Sequence, residues 1–282
     1  MSEWWTYRLG DFLMFSPSTY QRMFALYNEQ VWPVQWVALP LGMLVLWLMA
    51  RRESPNAWRG VCAIAAAGCL WVAWAFHWQR YASIHSAAPW FTGVFVAQAL
   101  VLAFIARPGT LWRLHGLAPG AIRHGAPAGL AAAASQGVRT AGLALLAFAI
   151  LFLPWIGVLF ERPWQQVALF GLTPDATVAG TLGLLVLLER ASTQHASDTA
   201  SGPVRSRRIA STLARLTPWV LPMSWCAASG ATLWSMAAPE AWVLPVVALV
   251  AGTAGVAAAQ RAPKPADLGS DTPPCPARKF LP

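Results

Sequence analysis

The chain has 282 residues, of which 57% are hydrophobic and only 11% charged, and its formal net charge is +9. That balance excludes an ordinary soluble domain and points to a chain solvated by lipid. It also argues against a nucleic-acid reader, because the basic residues flank apolar runs and do not gather on one polar face.

Residues 1–30 precede the first long apolar run and read as an interfacial amphipathic region. Trp4, Trp5, Tyr7, Phe12, Phe15, Tyr20, Phe24 and Tyr27 are interleaved with Glu3, Arg8, Asp11 and Arg22, the mix suited to headgroup depth. Acidic residues this early do not fit a cleaved signal peptide. Ser16 before Pro17 marks a helix start, with the hydroxyl as cap and the proline in the first position, and a short helix is predicted to lead from there to the first span.

A membrane-crossing helix needs about 20 mainly apolar residues. Seven segments come near that length: 31–50, 60–76, 89–106, 140–160, 167–188, 218–236 and 241–259. The predicted fold is an all-α, polytopic transmembrane helix bundle of about seven spans, residues 31–260, with the N-terminal interfacial helix before it. Residues 261–282 follow as a disordered, Pro-rich cytoplasmic tail with six prolines. The fifth segment is the weak one, because its Gly-Leu-Thr-Pro-Asp stretch interrupts it; were it re-entrant, the tail would move outside.

Alternate loops differ sharply in charge. With the N-terminus outside, 16 of the 20 Lys and Arg residues fall on the inner side and four, Arg8, Arg22, Arg80 and Arg162, on the outer. Short cytoplasmic loops retain Lys and Arg, so this predicts a bacterial inner-membrane protein with its N-terminus outside and its C-terminus in the cytoplasm. The expected partners are the lipid bilayer, with anionic headgroups at the Arg-rich loops, and possible membrane proteins, but no nucleic acid. Tryptophan is lopsided in the other direction, with 12 of 17 projecting to the outer half.

Small residues at 65–68, Gly180 and Gly183, 227–230, and Ala248, Gly252, Gly255 and Ala259 predict close helix packing. Cys62, Cys69, Cys226 and Cys275 have neither metal nor redox spacing and read as packing residues. No cofactor or metal is predicted. Gln35 and Gln98 read as interhelical hydrogen-bonding residues.

The densest polar cluster is residues 74–90, W-A-F-H-W-Q-R-Y-A-S-I-H-S-A-A-P-W. A helix continuing past Phe76 would place Trp74, His77, Tyr81 and His85 on one face. A metal shared by His77 and His85 is unfavourable, since eight helical residues separate them by about 12 Å. Asp175 is the other feature. Thr173 reads as the cap of a helix starting at Pro174, with Asp175 in its first turn where the dipole favours a carboxylate. Two readings stand side by side. Either these side chains only snorkel to headgroups and end helices, or His77, Arg80, Tyr81, His85, Glu161 and Asp175 form an outer cavity for a small polar or cationic solute.

Six ordered segments carry a resemblance: M-S-E-W-W-T-Y-R-L at 1–9, D-F-L-M-F-S-P at 11–17, W-A-F-H-W-Q-R-Y-A at 74–82, F-G-L-T-P at 170–174, T-L-G-L-L at 181–185 and A-P-E-A-W at 238–242. Together they resemble the bacterial membrane proteins of the domain-of-unknown-function family numbered 6064. The resemblance implies a polytopic membrane protein, some of whose relatives carry permease-like names, and it implies no mechanism. Asp175 and Ala176 stand where the family pattern has a Cys-Pro pair, so no thiol ligand is available there. Two functions follow from the sequence: a small permease or solute-binding membrane protein, or a membrane sensor, scaffold or accessory subunit. An enzyme is less favoured, because no catalytic set falls at one depth.

Overall fold

The computed structural model describes residues 15–51, 54–107, 129–196 and 205–260. The first half of the expected interfacial region, residues 52–53, 108–128 and 197–204, and the Pro-rich tail with Cys275 lie outside the described residues. Within them the protein is all-helical.

Helix α1, Pro17–Gln30, begins where the sequence predicts, with the Ser16 hydroxyl accepting from the Thr19 N–H at 3.2 Å and Pro17 in the first turn. It meets α2, Gln35–Arg51, at a bend of 94°. Helix α3, Pro55–Trp71, has the same Ser-Pro start at Ser54 and runs on into a π-helical segment, Val72–Trp78. A 3-10 turn, Tyr81–Ser83, leads to α4, Ala88–Ile105. Helix α5, Gly129–Ala147, passes through a second π-helical segment, Phe148–Phe152, into α6, Leu153–Leu159. Helices α7, Pro174–Ala196, α8, Arg205–Ser235, and α9, Val243–Ala259, complete the bundle.

By length and composition, three helical stretches suffice to cross a membrane, Pro55–Ser83, Ala88–Ile105 and Ser135–Leu159, or four if the bent α1–α2 pair is one span. Val243–Ala259 is apolar but shorter. The difference from seven has local causes. The helical part of the fifth segment starts only at Pro174, and α8 carries Pro218 and Pro222 together with several hydroxyl residues.

Helix α7 is the centre. Every residue from Ala176 to Glu189 is buried, and the helix packs against α5, α9, α8 and α3. A helix that is apolar all round requires such a place. Close approach depends on glycine. A Cβ on Gly183 would lie 2.8 Å from the Leu146 backbone nitrogen, and one on Gly68 2.9 Å from the Gly171 Cα, so α5 and the turn before α7 touch their neighbours backbone to backbone. The outside of the bundle is apolar as well, with Leu39, Leu100, Phe104, Leu249 and Val256 all exposed. That exterior is compatible with lipid, whereas in water it would be an aggregation surface.

The two ends of the bundle differ. At one end Arg139 Nη2 donates to the Ala50 carbonyl at 2.8 Å, Arg59 Nε to the Ala106 carbonyl at 3.2 Å and Arg190 Nε to the Ser135 carbonyl at 3.1 Å. Arg59 and Arg139 thereby satisfy carbonyls at the ends of α4 and α2, where the helix dipole also favours a cation. The opposite end carries tryptophan. Trp32, Trp36, Trp74, Trp78, Trp90, Trp155, Trp164, Trp234 and Trp242 are each more than half exposed there. These nine are exposed at the surface, as interfacial anchors are.

Candidate functional site

The tryptophan end holds the site. Asp175 lies in the first turn of α7 and is half-buried. Its Oδ1 accepts from Trp225 Nε1 at 2.9 Å and from the Ser229 hydroxyl at 3.0 Å. Trp225 and Ser229 are four residues apart on α8, so one helical face presents both donors. Oδ2 accepts no hydrogen bond from the described residues. Thr173, expected as the cap, turns its hydroxyl back to the Leu169 carbonyl at 3.2 Å.

Two loop residues complete the polar set. Arg162 and the buried Glu240 form an ion pair, and each is delivered by the same kind of helix end. After α6, the Arg162 N–H bonds the Gly157 carbonyl at 2.9 Å and the Glu161 N–H bonds Val158, with Glu161 at φ 63°. After α8, the Ala238 N–H bonds Leu233 at 2.9 Å and the Ala237 N–H bonds Trp234, with Ala237 at φ 54°. Both are Schellman ends with a non-glycine residue in the left-handed position. The first places Arg162 across Gly157, where a Cβ would meet Arg162 Cδ at 3.3 Å. The second turns the chain so that Glu240 arrives opposite.

Asp175, Arg162 and Glu240 line a cavity of about 60 Å³, with Tyr20 and Phe24 of α1, Gln166, and the apolar side chains of Leu153 and Leu244, while Trp225 and Ser229 hold Asp175 from outside that lining. Helix α1 is held over it by the irregular chain before α7. Asn28 Nδ2 donates to the carbonyls of Gln165 at 2.7 Å and Val167 at 3.0 Å, and the Tyr27 hydroxyl donates to Leu172 at 2.6 Å. Those carbonyls belong to no α-helix, Gln165 lying in a short 3-10 turn, Trp164–Gln166, and in an apolar surround they need a donor. Tyr20, Met23, Phe24, Tyr27 and Asn28 are therefore buried against protein, so this part of the expected interfacial region is docked.

Of the six residues expected to share a cavity, only Asp175 lines it. His77 is 0% exposed. Its ring lies 4.8 Å from that of Phe95, 5.0 Å from Trp225 and 5.8 Å from Tyr81, and neither ring nitrogen has a hydrogen-bond partner among the described residues. Of the four side chains expected on one face over residues 74–85, His77, Tyr81 and His85 do meet, with Tyr81 5.0 Å from His85, but across a turn and not along one helix, and Trp74 departs. The helix changes to π geometry at Val72 and ends at Trp78, which leaves Trp74 outside and His77 inside. Arg80 is half-buried in the following turn. Tyr81 packs into the aromatic cluster at 4% exposure. His85 Nδ1 accepts from the Ala87 N–H at 3.0 Å, so it closes the turn before α4, and partial burial lowers its pKa below the ordinary histidine value. Glu161 is exposed and serves as the cap residue of α6.

Gln35 Nε2 bonds the Asn28 carbonyl at 2.7 Å, joining the bent helices. Gln98 is buried without a partner among the described residues. Cys62, Cys69 and Cys226 are buried singly, and no group of three or more metal-ligating side chains occurs among the described residues.

Tyr20, Arg162, Trp225, Ser229 and Glu240 are site residues that sequence reasoning missed. Glu240 lies between the sixth and seventh apolar segments, on the same side as Arg162 in the alternation of loops, and that was the available signal for their pairing. Comparison with protein-family models, with curated proteins and with solved structures gave no match.

Proposed function

We propose that the protein is a multi-pass membrane protein that binds a small polar solute in the cavity at Asp175, as a small permease or solute-binding component of the bacterial inner membrane. In this reading α2, α3, α4, the α5–α6 pair, α7, α8 and α9 cross the bilayer. The tryptophan end faces outward and the tail lies in the cytoplasm. The arginines gathered at the other end support that orientation, and a C-terminal alkaline phosphatase fusion active in the periplasm would reverse it. Two of the segments that resemble the family numbered 6064, 74–82 and 170–174, are irregular pieces of chain beside the site.

One observation carries the reading. A carboxylate is oriented by an indole N–H and a hydroxyl through Oδ1, while Oδ2 has no partner among the described residues, at a cavity that also holds the Arg162–Glu240 pair. A purely structural acid in such a surround would be expected to have both oxygens satisfied.

A sensor, scaffold or accessory subunit is the second reading, and α7 favours it. The Thr177 and Thr181 hydroxyls donate to the carbonyls four residues back, both at 2.7 Å. The helix thus offers no free hydroxyl there for a solute path across the bundle. Binding at the outer end without passage fits that closure. Anionic lipid at the arginine end serves either reading.

The test is thermal unfolding of the purified full-length chain in detergent against separate panels of amines, amino acids, carboxylates and sugars, beside Asp175→Asn. At least one class is expected to raise the midpoint of the parent and to lose that effect in the variant. If no class raises it, the solute-binding reading falls and the scaffold reading stands.

A further inference from the structure

The chemistry of the cavity wall narrows the solute further. Asp175 and Glu240 bring two negative charges and Arg162 brings one positive, so the set as ionised has one uncompensated negative charge. Glu240 is 6% exposed. Its Oε2 has no hydrogen-bond partner among the described residues, and neither does Gln166 Oε1, while Asp175 Oδ2 accepts nothing from them. Three acceptor oxygens therefore belong to residues that line one cavity. Against them are few donors: the Arg162 guanidinium, engaged by Glu240, the Tyr20 hydroxyl and the Gln166 side-chain amide nitrogen. A buried acceptor surplus with a net negative charge calls for a ligand that brings several N–H donors and one positive charge.

The rest of the wall sets size and shape. A cavity of about 60 Å³ exceeds the 10–15 Å³ or so that one water needs. Phe24, Leu153 and Leu244 make part of its lining apolar, and two aromatic rings, Tyr20 and Phe24, belong to that lining. Resting on the solute-binding reading above, we propose that the cavity takes a small primary alkylammonium ion. Its NH3+ group meets Asp175 Oδ2 in the field of the Glu240 carboxylate, and its short alkyl chain lies against Phe24 and Leu244.

The experiment uses n-propylammonium chloride, with tetramethylammonium chloride, n-propanol, glycine and sodium propionate as comparisons at one ionic strength. Binding to the purified full-length chain is read by midpoint shift and by titration calorimetry. Propylammonium is expected to bind saturably. Tetramethylammonium, which has the charge and no N–H, and propanol, which has no charge, are expected to bind about ten-fold more weakly or not at all.

Asp175→Asn keeps an oxygen for Trp225 and Ser229 and removes the charge. Glu240→Gln removes the same unit of charge from the opposite side, so the result does not hang on one variant folding. Each is expected to weaken propylammonium binding by about ten-fold. Equal binding of tetramethylammonium, or unchanged propylammonium binding in a folded variant, would overturn the assignment. Binding of glycine or propionate without propylammonium would overturn the amine and leave the cavity as a solute site. No binding by any compound of either panel would remove both.

Discussion

Gly183→Ala places the contact between α5 and α7 under a direct test. The added methyl would sit 2.8 Å from the Leu146 nitrogen, 3.0 Å from the Gly142 oxygen and 3.2 Å from the Leu146 Cα. All three are backbone atoms, so no side-chain rotation relieves the overlap. Ordinary carbon contacts lie at about 3.5–4.0 Å, so the two helices must part by roughly half an ångström or more, and a gap of that size forfeits a quarter or more of each neighbouring contact. Overpacking of this kind costs about 1–3 kcal/mol. Replacing glycine by alanine inside a helix returns about 1 kcal/mol, so the net effect is a loss of about 0–2 kcal/mol. Gly93 on α4 is the matched control, because a Cβ there meets nothing within 4 Å; Gly93→Ala should stabilise by about 0.5–1 kcal/mol. Reversible unfolding by SDS titration into detergent micelles, followed by tryptophan fluorescence, gives both numbers. If the two variants shift stability in the same direction, the backbone contact between α5 and α7 is not the one described.

His77→Phe replaces an imidazole that lies among aromatic rings with no partner for either nitrogen among the described residues; it is expected to raise stability in the same titration by about 1 kcal/mol, the low end of the penalty for an unmade buried hydrogen bond. A marked loss of stability, or a lost solute response at unchanged stability, would show that the imidazole has a partner or a ligand. Ala237→Gly relieves a left-handed backbone at φ 54° and should stabilise by about 0.5–1 kcal/mol. A lower unfolding midpoint in that variant would refute strain at the end of α8.

Local physics was legible in the chain by itself. Ser16 with Pro17 started a helix, Pro174 started another, and the alternation of arginine and tryptophan between loops fixed which residues share an end, because caps and loop charges act within a few residues of where they are written. The central place of α7, the inward turn of His77, the docking of α1 and the meeting of Arg162 with Glu240 were decided only in three dimensions. These helices are apolar nearly all round, so no polar face marks which side turns inward. Lipid and protein interior are equally hospitable to leucine, and the choice falls to backbone approach at glycines and to hydrogen bonds between distant segments. Asp175 shows both halves: its place in the first turn of a helix follows from Pro174 beside it, while the indole, hydroxyl and ion pair around it come from helices and loops about 50 to 65 residues farther along the chain and from a loop just before it.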